Sequence, residues 1–115
     1  MNDGDPVDGR ILDELFAVIE SRKGGDPDAS YTAKLLHDGR ERIARKIGEE
    51  AVETVLAAAK DDTGEIAAES ADVLYHLMVL WADAGLRPAD IWARLEARRG
   101  MSGIEEKASR TESAE

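Results

Sequence analysis

Two pairs of acidic residues, each with members three positions apart, have the types and spacing that could do chemistry. Glu50 and Glu53 form one pair, and Glu69 and Asp72 form the other. Residues at i and i+3 are neighbours on a helix surface, so each pair would present two carboxylates together. Four carboxylates in one partly dry groove would repel each other, and a divalent cation is the direct remedy. Because all-oxygen, anionic ligands favour Mg²⁺ or Mn²⁺ over Zn²⁺, the spacing predicts a magnesium site.

The spacing of apolar residues places these acids on two long helices. The first is predicted from about Arg40 to Lys60, and the second from about Glu65 to Ala84. Gly85 is the expected residue after the second helix, since glycine commonly ends helices. The stripe that should face the core on the first helix repeats every four residues and consists of Ile43, Ile47, Ala51 and Val55.

Positions around each helix decide which acids face the neighbouring helix. At about 100° per residue, Glu50 lies beside the apolar stripe and Glu53 is one step around its edge. Glu69 lies within the apolar stripe of the next helix, and Asp72 flanks it. Glu49 points away from the stripe, which weakens any direct role for it at the pairs.

Several other polar residues near the acids have two readings. Lys46 is either an i,i+4 salt-bridge partner of Glu50 or a contact for a substrate phosphate. His76, on the apolar helix, is either a core histidine with satisfied hydrogen bonds or a ligand or proton-transfer residue. Arg45 precedes the acidic run, and it either holds phosphate or belongs to the solvated surface.

The remaining chain reads as shorter helices with short connections. Asp8 is the expected N-cap of a first helix that ends before Gly24. Ser30 should cap a short helix, residues 31–36, and Pro88 suits the first position of a last helix that ends near Gly100. No segment alternates with period two for long, so the sequence predicts an all-α bundle of four or five helices.

The predicted domain organisation is simple. A single helical domain spans residues 10–100, after a flexible lead-in, 1–9, and before a polar tail, 101–115. Residues 73–81 are apolar or aromatic nearly all round. A helix of that kind must be covered on every side, which favours a homodimer or a higher homo-oligomer. A central helix inside a monomer is the alternative.

Composition excludes several classes of function. The chain has 115 residues, a formal net charge of −10, 4% aromatic residues and no cysteine. The acidic balance and the scarce aromatic rings argue against nucleic acid as a partner. No secretory signal and no membrane-length apolar stretch are visible, so we expect a cytoplasmic protein that does not enter a membrane.

The acidic pairs also carry a resemblance to known proteins. The segment from Lys46 to Glu53, followed by Glu69 to Asp72, resembles the E-E-x-x-E…E-x-x-D signature of the MazG-like all-α nucleotide pyrophosphohydrolases. Within that group the closest resemblance is to the phosphoribosyl-ATP pyrophosphatase family. It rests on a segment that begins Ser-Tyr-Thr at residues 30–36, an Asp-Val-Leu-Tyr-His-Leu stretch at 72–77, and a C-terminal segment at 102–110.

The resemblance implies Mg²⁺-dependent cleavage of phosphoribosyl-ATP to phosphoribosyl-AMP and pyrophosphate, the second step of histidine biosynthesis. It implies that Mg²⁺ is bound by Glu50, Glu53, Glu69 and Asp72, with Glu49 beside Glu50 and Glu53 in the catalytic signature. The expected substrate contacts are Lys46, Arg45, His76 and Tyr31.

Two other functions fit part of these observations. A house-cleaning (d)NTP pyrophosphohydrolase would share the carboxylates and differ in the flanking segments around Tyr31 and His76. A non-catalytic helical dimerisation module would share the apolar helix, and it would tolerate alanine at the acidic positions because charge repulsion would be relieved.

Overall fold

The computed structural model describes residues 6–100, and within that range the chain is all helical. The first part of the predicted lead-in and the whole predicted tail, with the C-terminal segment at 102–110, lie outside the described residues. The all-α fold predicted from the sequence is confirmed. The five helices are α1 (Arg10–Ser21), α2 (Tyr31–Asp38), α3 (Arg40–Ala59), α4 (Thr63–Ala84) and α5 (Pro88–Arg98).

Local sequence explains most of the helix boundaries, with two corrections. The N-cap of α1 is Gly9, one position after the predicted Asp8. The Asp8 carboxylate still accepts from the Arg10 backbone N–H, at 3.0 Å, and so satisfies one donor of the first turn. The helix predicted to begin at Glu65 begins at Thr63, since the Asp62 side chain caps it by accepting from the Glu65 N–H at 3.1 Å. Ser30 caps α2 as predicted, accepting from the Ala33 N–H at 3.2 Å.

The long helices α3 and α4 form a hairpin that organises the molecule. They pack against each other more extensively than any other pair of described helices, and residues 60–62 join them. At the opposite end of the hairpin, Arg40 Nε of α3 lies 2.9 Å from Asp83 Oδ2 of α4. A salt bridge between exposed residues adds little stability on its own, and this one links the N-terminal end of α3 to the C-terminal end of α4.

The core forms where α1 and α2 cover one face of this hairpin. Phe16 and Ile19 of α1 and Leu35 of α2 pack with Ile43 of α3 and with Val79 of α4. Ile43 and Val79 are completely buried. The T-shaped pair of Trp81 and Trp92, with ring centroids 6.1 Å apart, joins α5 to the same core, as expected for core residues.

The other face of the hairpin remains apolar and uncovered. The predicted core stripe of α3 is buried at Ile43, but Ala51 and Val55 are exposed, Val55 at 66%. Leu74, from the helix predicted to need covering on every side, is also exposed, at 41%. The chain itself therefore buries only part of this stripe, because α1 and α2 pack on the opposite face of the hairpin.

No helix among residues 6–100 combines the length and the apolarity that crossing a membrane requires.

Candidate active site

Three of the predicted metal ligands meet in the groove between α3 and α4. Glu50, Glu69 and Asp72 each offer a carboxylate oxygen, and these oxygens all lie within 4.8 Å of one another. The Glu50 side chain is 16% exposed, Glu69 is half-buried, and Asp72 is open to solvent. We call these three residues the acidic cluster. It forms because the i,i+3 spacing puts both acids of α4 on the side that faces α3.

The charges of the cluster repel one another. The pKa of Glu69 is raised above its ordinary value of 4.5, first by a hydrogen bond with Glu50, then by partial burial and by the charges of Glu50, Asp72 and Glu53. The convergence of three carboxylates therefore costs free energy through charge repulsion. A divalent cation would offset that repulsion, and three carboxylates suit Mg²⁺ or Mn²⁺.

Two of the predicted catalytic acids lie outside the cluster. Glu53 is exposed and is not among the three residues whose oxygens converge, although its charge contributes to the raised pKa of Glu69. Glu49 is 54% exposed and pairs with Lys46, as its predicted outward direction allows. The structure therefore brings together one of the three predicted catalytic acids and three of the four predicted metal ligands.

Lys46 borders the cluster on α3. Its Nζ lies 3.2 Å from Glu49 Oε2 and 3.9 Å from Glu50 Oε1, so the salt-bridge reading of this residue is confirmed. These contacts and the nearby Tyr31 raise the pKa of Lys46, with the Glu49 bond as the largest cause. A phosphate contact by Lys46 stays a prediction. Arg45 pairs with Glu41, at 3.7 Å, on an exposed part of α3.

Tyr31 and His76 meet on the side of the cluster that α2 covers. The Tyr31 hydroxyl lies 3.0 Å from His76 Nε2, and His76 Nδ1 lies 2.8 Å from the Asp72 backbone oxygen. His76 is 5% exposed and hydrogen-bonded at both ring nitrogens, as the core-histidine interpretation expects, and a substrate contact by His76 stays a prediction. Burial is the main cause of a raised pKa at Tyr31, and the charges of Lys46 and Glu50 also act on that phenol.

Comparison with known proteins identifies the family. The profile of the family described as phosphoribosyl-ATP pyrophosphohydrolase matches residues 12–99. The chain belongs to this family. A phosphoribosyl-ATP pyrophosphatase of Azospirillum brasilense is 58% identical over 106 residues, which cover 92% of this chain and 96% of that protein. One of Paramagnetospirillum magneticum is 62% identical over 103 residues, 90% of this chain and 94% of that protein.

Membership in the phosphoribosyl-ATP pyrophosphohydrolase family confirms the family and the hydrolase class predicted from the sequence. One feature of this family member was not predicted. The hydroxyls of Thr32 and Tyr75 form a hydrogen bond between α2 and α4, beside the bond of Tyr31 to His76. All four residues lie in the two segments that carried the resemblance, but only the fold brings positions 43 or more residues apart into contact.

Proposed function

We propose that this protein hydrolyses phosphoribosyl-ATP to phosphoribosyl-AMP and pyrophosphate, the second step of histidine biosynthesis. The proposal is supported by the family profile over residues 12–99 and by relatives that bear the name of this enzyme. The observation that carries it is the convergence of Glu50, Glu69 and Asp72 in a chain of that family. A pyrophosphohydrolase needs a place to gather positive charge around a polyphosphate, and the acidic cluster is suited to do so through a divalent cation.

Mg²⁺ is the proposed cofactor, with Mn²⁺ as the alternative of similar chemistry. Glu50, Glu69 and Asp72 would hold it, and Glu53 is proposed as a further ligand from the next turn of α3. When bound, the cation would neutralise the polyphosphate and polarise the phosphorus that is attacked.

The residues of the chain contribute mainly position and charge, as in phosphoryl transfer in general. Lys46, whose raised pKa keeps it cationic, stands beside Glu50 and can meet a phosphate oxygen once Glu49 releases it. Glu49 is proposed to orient or deprotonate water after that release. Tyr31 and Arg45 remain the proposed contacts to the rest of the substrate.

We also propose that the chain assembles as a homodimer or a larger homo-oligomer through the uncovered face of the α3–α4 hairpin. Val52, Val55 and Leu56 of α3 and Leu74 of α4 are all at least 41% exposed there. A shallow groove beside them is lined by Ala51, Thr54, Ser70, Val73 and Leu74. Apolar patches of this kind typically mark protein interfaces, and a second copy could cover both long helices at once.

Pyrophosphate release by the purified protein tests the proposed activity. Phosphoribosyl-ATP is compared with ATP and with dNTPs, each with and without Mg²⁺. We expect Mg²⁺-dependent release from phosphoribosyl-ATP at a kcat/KM at least about a hundredfold above the other nucleotides. Preferred hydrolysis of dNTPs would instead support the house-cleaning enzyme, and no hydrolysis of any nucleotide would support the dimerisation module. The cytoplasmic location and the absence of nucleic-acid and membrane partners stay predictions from the sequence.

A further inference from the structure

A chain of hydrogen bonds joins the first turn of α2 to the middle of α4. His76 Nδ1 lies 2.8 Å from the backbone oxygen of Asp72, and His76 Nε2 lies 3.0 Å from the Tyr31 hydroxyl. A carbonyl oxygen only accepts, so Nδ1 carries a proton, and in this Nδ1–H tautomer Nε2 is the acceptor for the phenol. Both nitrogens of this buried histidine are thus occupied within the chain, and neither is free for a substrate.

Tyr31 is the exposed member of this chain. Its side chain is half exposed, although its hydroxyl is tethered to the buried histidine. Through the His76 ring, its hydroxyl is linked by two hydrogen bonds to the backbone of Asp72, a member of the acidic cluster. Tyr31 therefore places α2 beside the acidic cluster, which α3 and α4 form.

We propose that His76 is a positioning residue, which holds the ring of Tyr31 at the rim of the acidic cluster for contact with the nucleoside part of the substrate. The proposal rests on the proposed function, since it takes the phosphates of a nucleotide to be held at the cluster. His76 itself does not touch the substrate. Its effect on substrate affinity passes through the Tyr31 hydroxyl.

The neighbouring bond of Thr32 to Tyr75 provides a matched control. It joins the same two helices, it starts at the next residue of α2, and it also depends on a tyrosine hydroxyl. The Tyr75 ring lies 5.2 Å from the His76 ring, edge to face, and phenylalanine would keep that contact. Tyr75→Phe therefore loosens the attachment of α2 to α4 while the tether of Tyr31 stays intact.

The test measures kcat and KM for phosphoribosyl-ATP in Tyr31→Phe, in His76→Asn and in the double variant. Asparagine places its amide near the position of Nδ1, so it keeps a donor for Asp72 but loses the acceptor for Tyr31. We expect each single variant to raise KM about fivefold, the effect of one neutral hydrogen bond, with little change in kcat. The double variant should match the single ones. His76→Gln, whose amide reaches the position of Nε2, should restore KM, and Tyr75→Phe should leave KM unchanged.

Three results would overturn the proposal. A double variant with the product of the two single effects, about 25-fold in KM if each is fivefold, would mean that His76 acts on the substrate independently. An equal rise of KM in Tyr75→Phe would mean that general loosening of α2 is responsible. The third is a proton on Nε2 instead of Nδ1, which ¹⁵N NMR of the His76 ring reports in the wild type, with Tyr31→Phe expected to shift Nε2. Because NMR needs no substrate, failure of the proposed activity is distinguishable from failure of the tether.

Discussion

Glu50→Gln should show separately how the acidic cluster affects the stability of the metal-free protein and how it affects Mg²⁺ binding. Glu50 is the least exposed member of the cluster at 16%, and it hydrogen-bonds Glu69. Glutamine keeps the size and the hydrogen-bonding capacity of the side chain, but it removes one of three negative charges that converge within 4.8 Å. We therefore expect the metal-free variant to be at least as stable as the wild type near neutral pH, and to bind Mg²⁺ much more weakly.

The expected loss of Mg²⁺ affinity follows from the loss of one of the three carboxylate ligands of the cluster. Even indirect disturbance of metal ligands costs about 10- to 100-fold in affinity, so a lost ligand should cost at least about a hundredfold. At a Mg²⁺ concentration of 100 times the wild-type Kd, binding stabilises the wild type by about 2.7 kcal/mol. The same concentration would then only equal the variant's Kd, and the stabilisation would fall to ~0.4 kcal/mol. Activity should fall at least about a hundredfold.

The direction in which the stability changes with pH gives an independent test. The pKa of Glu69 is raised in the folded protein, so the protonated form is favoured there. Its contribution to stability is complete below the ordinary value of 4.5 and is lost as the pH rises through the higher folded pKa. Metal-free wild type should thus lose stability as the pH rises from 4.5 through the raised pKa of Glu69, and Glu50→Gln should lose less because the main cause of the shift is gone.

Urea denaturation with and without Mg²⁺, at several pH values, measures these quantities. Glu14→Gln is the matched control, since it removes one negative charge from an exposed position on α1. It should leave the Mg²⁺ effect and the pH dependence unchanged. A metal-free Glu50→Gln protein that is clearly less stable than the wild type, or one that Mg²⁺ stabilises fully, would refute the reasoning.

Four further predictions concern residues other than Glu50 and Glu69. Glu53→Ala should lower kcat at least about a hundredfold if Glu53 completes the ligand set, and a change under threefold would exclude it. Val55→Asp should convert the proposed oligomer to a particle of 12.5 kDa in light scattering, whereas an unchanged mass would refute the proposed interface. Ser30→Ala should cost about 1 kcal/mol of unfolding free energy through its lost cap, and Ile43→Ala about 2 to 5 kcal/mol through a core cavity, both measured by urea denaturation.

The acidic cluster was largely predictable because it depends on local spacing. The i,i+3 pairs of Glu69 and Asp72 needed only a helix to become neighbours, and the apolar stripes fixed which side faced inward. The separation of Glu53 from the cluster was not predictable. It depends on how α3 is rotated and crossed against α4, and helical periodicity leaves that angle open. The hydrogen bond between Tyr31 and His76 was also not predictable from helical periodicity, since it joins positions 45 residues apart.

The fold shows the same division between local and distant causes. The cap at Ser30 and the start of α5 at Pro88 follow from side chains next to the helix ends, and both were predicted. The start of α1 differs from the prediction by one position, although the Asp8 side chain still accepts from the Arg10 N–H. The start of α4 moves to Thr63 because the Asp62 side chain caps it. The exposure of Ala51 and Val55 was missed, since periodicity marks an apolar stripe but does not say which partner covers it.

The salt bridge of Arg40 to Asp83 has a mechanical consequence. Residues 60–62 join α3 to α4 at one end of the hairpin, and this ion pair links the two helices at the other end. Glu50 and Asp72 lie near the midspan of their helices. Because the helices are linked at both ends, repulsion between these carboxylates should separate α3 from α4 less than it would in a hairpin linked at one end only. The spacing of the three carboxylates in the acidic cluster is therefore set by the packing of α3 against α4 and does not require a cation.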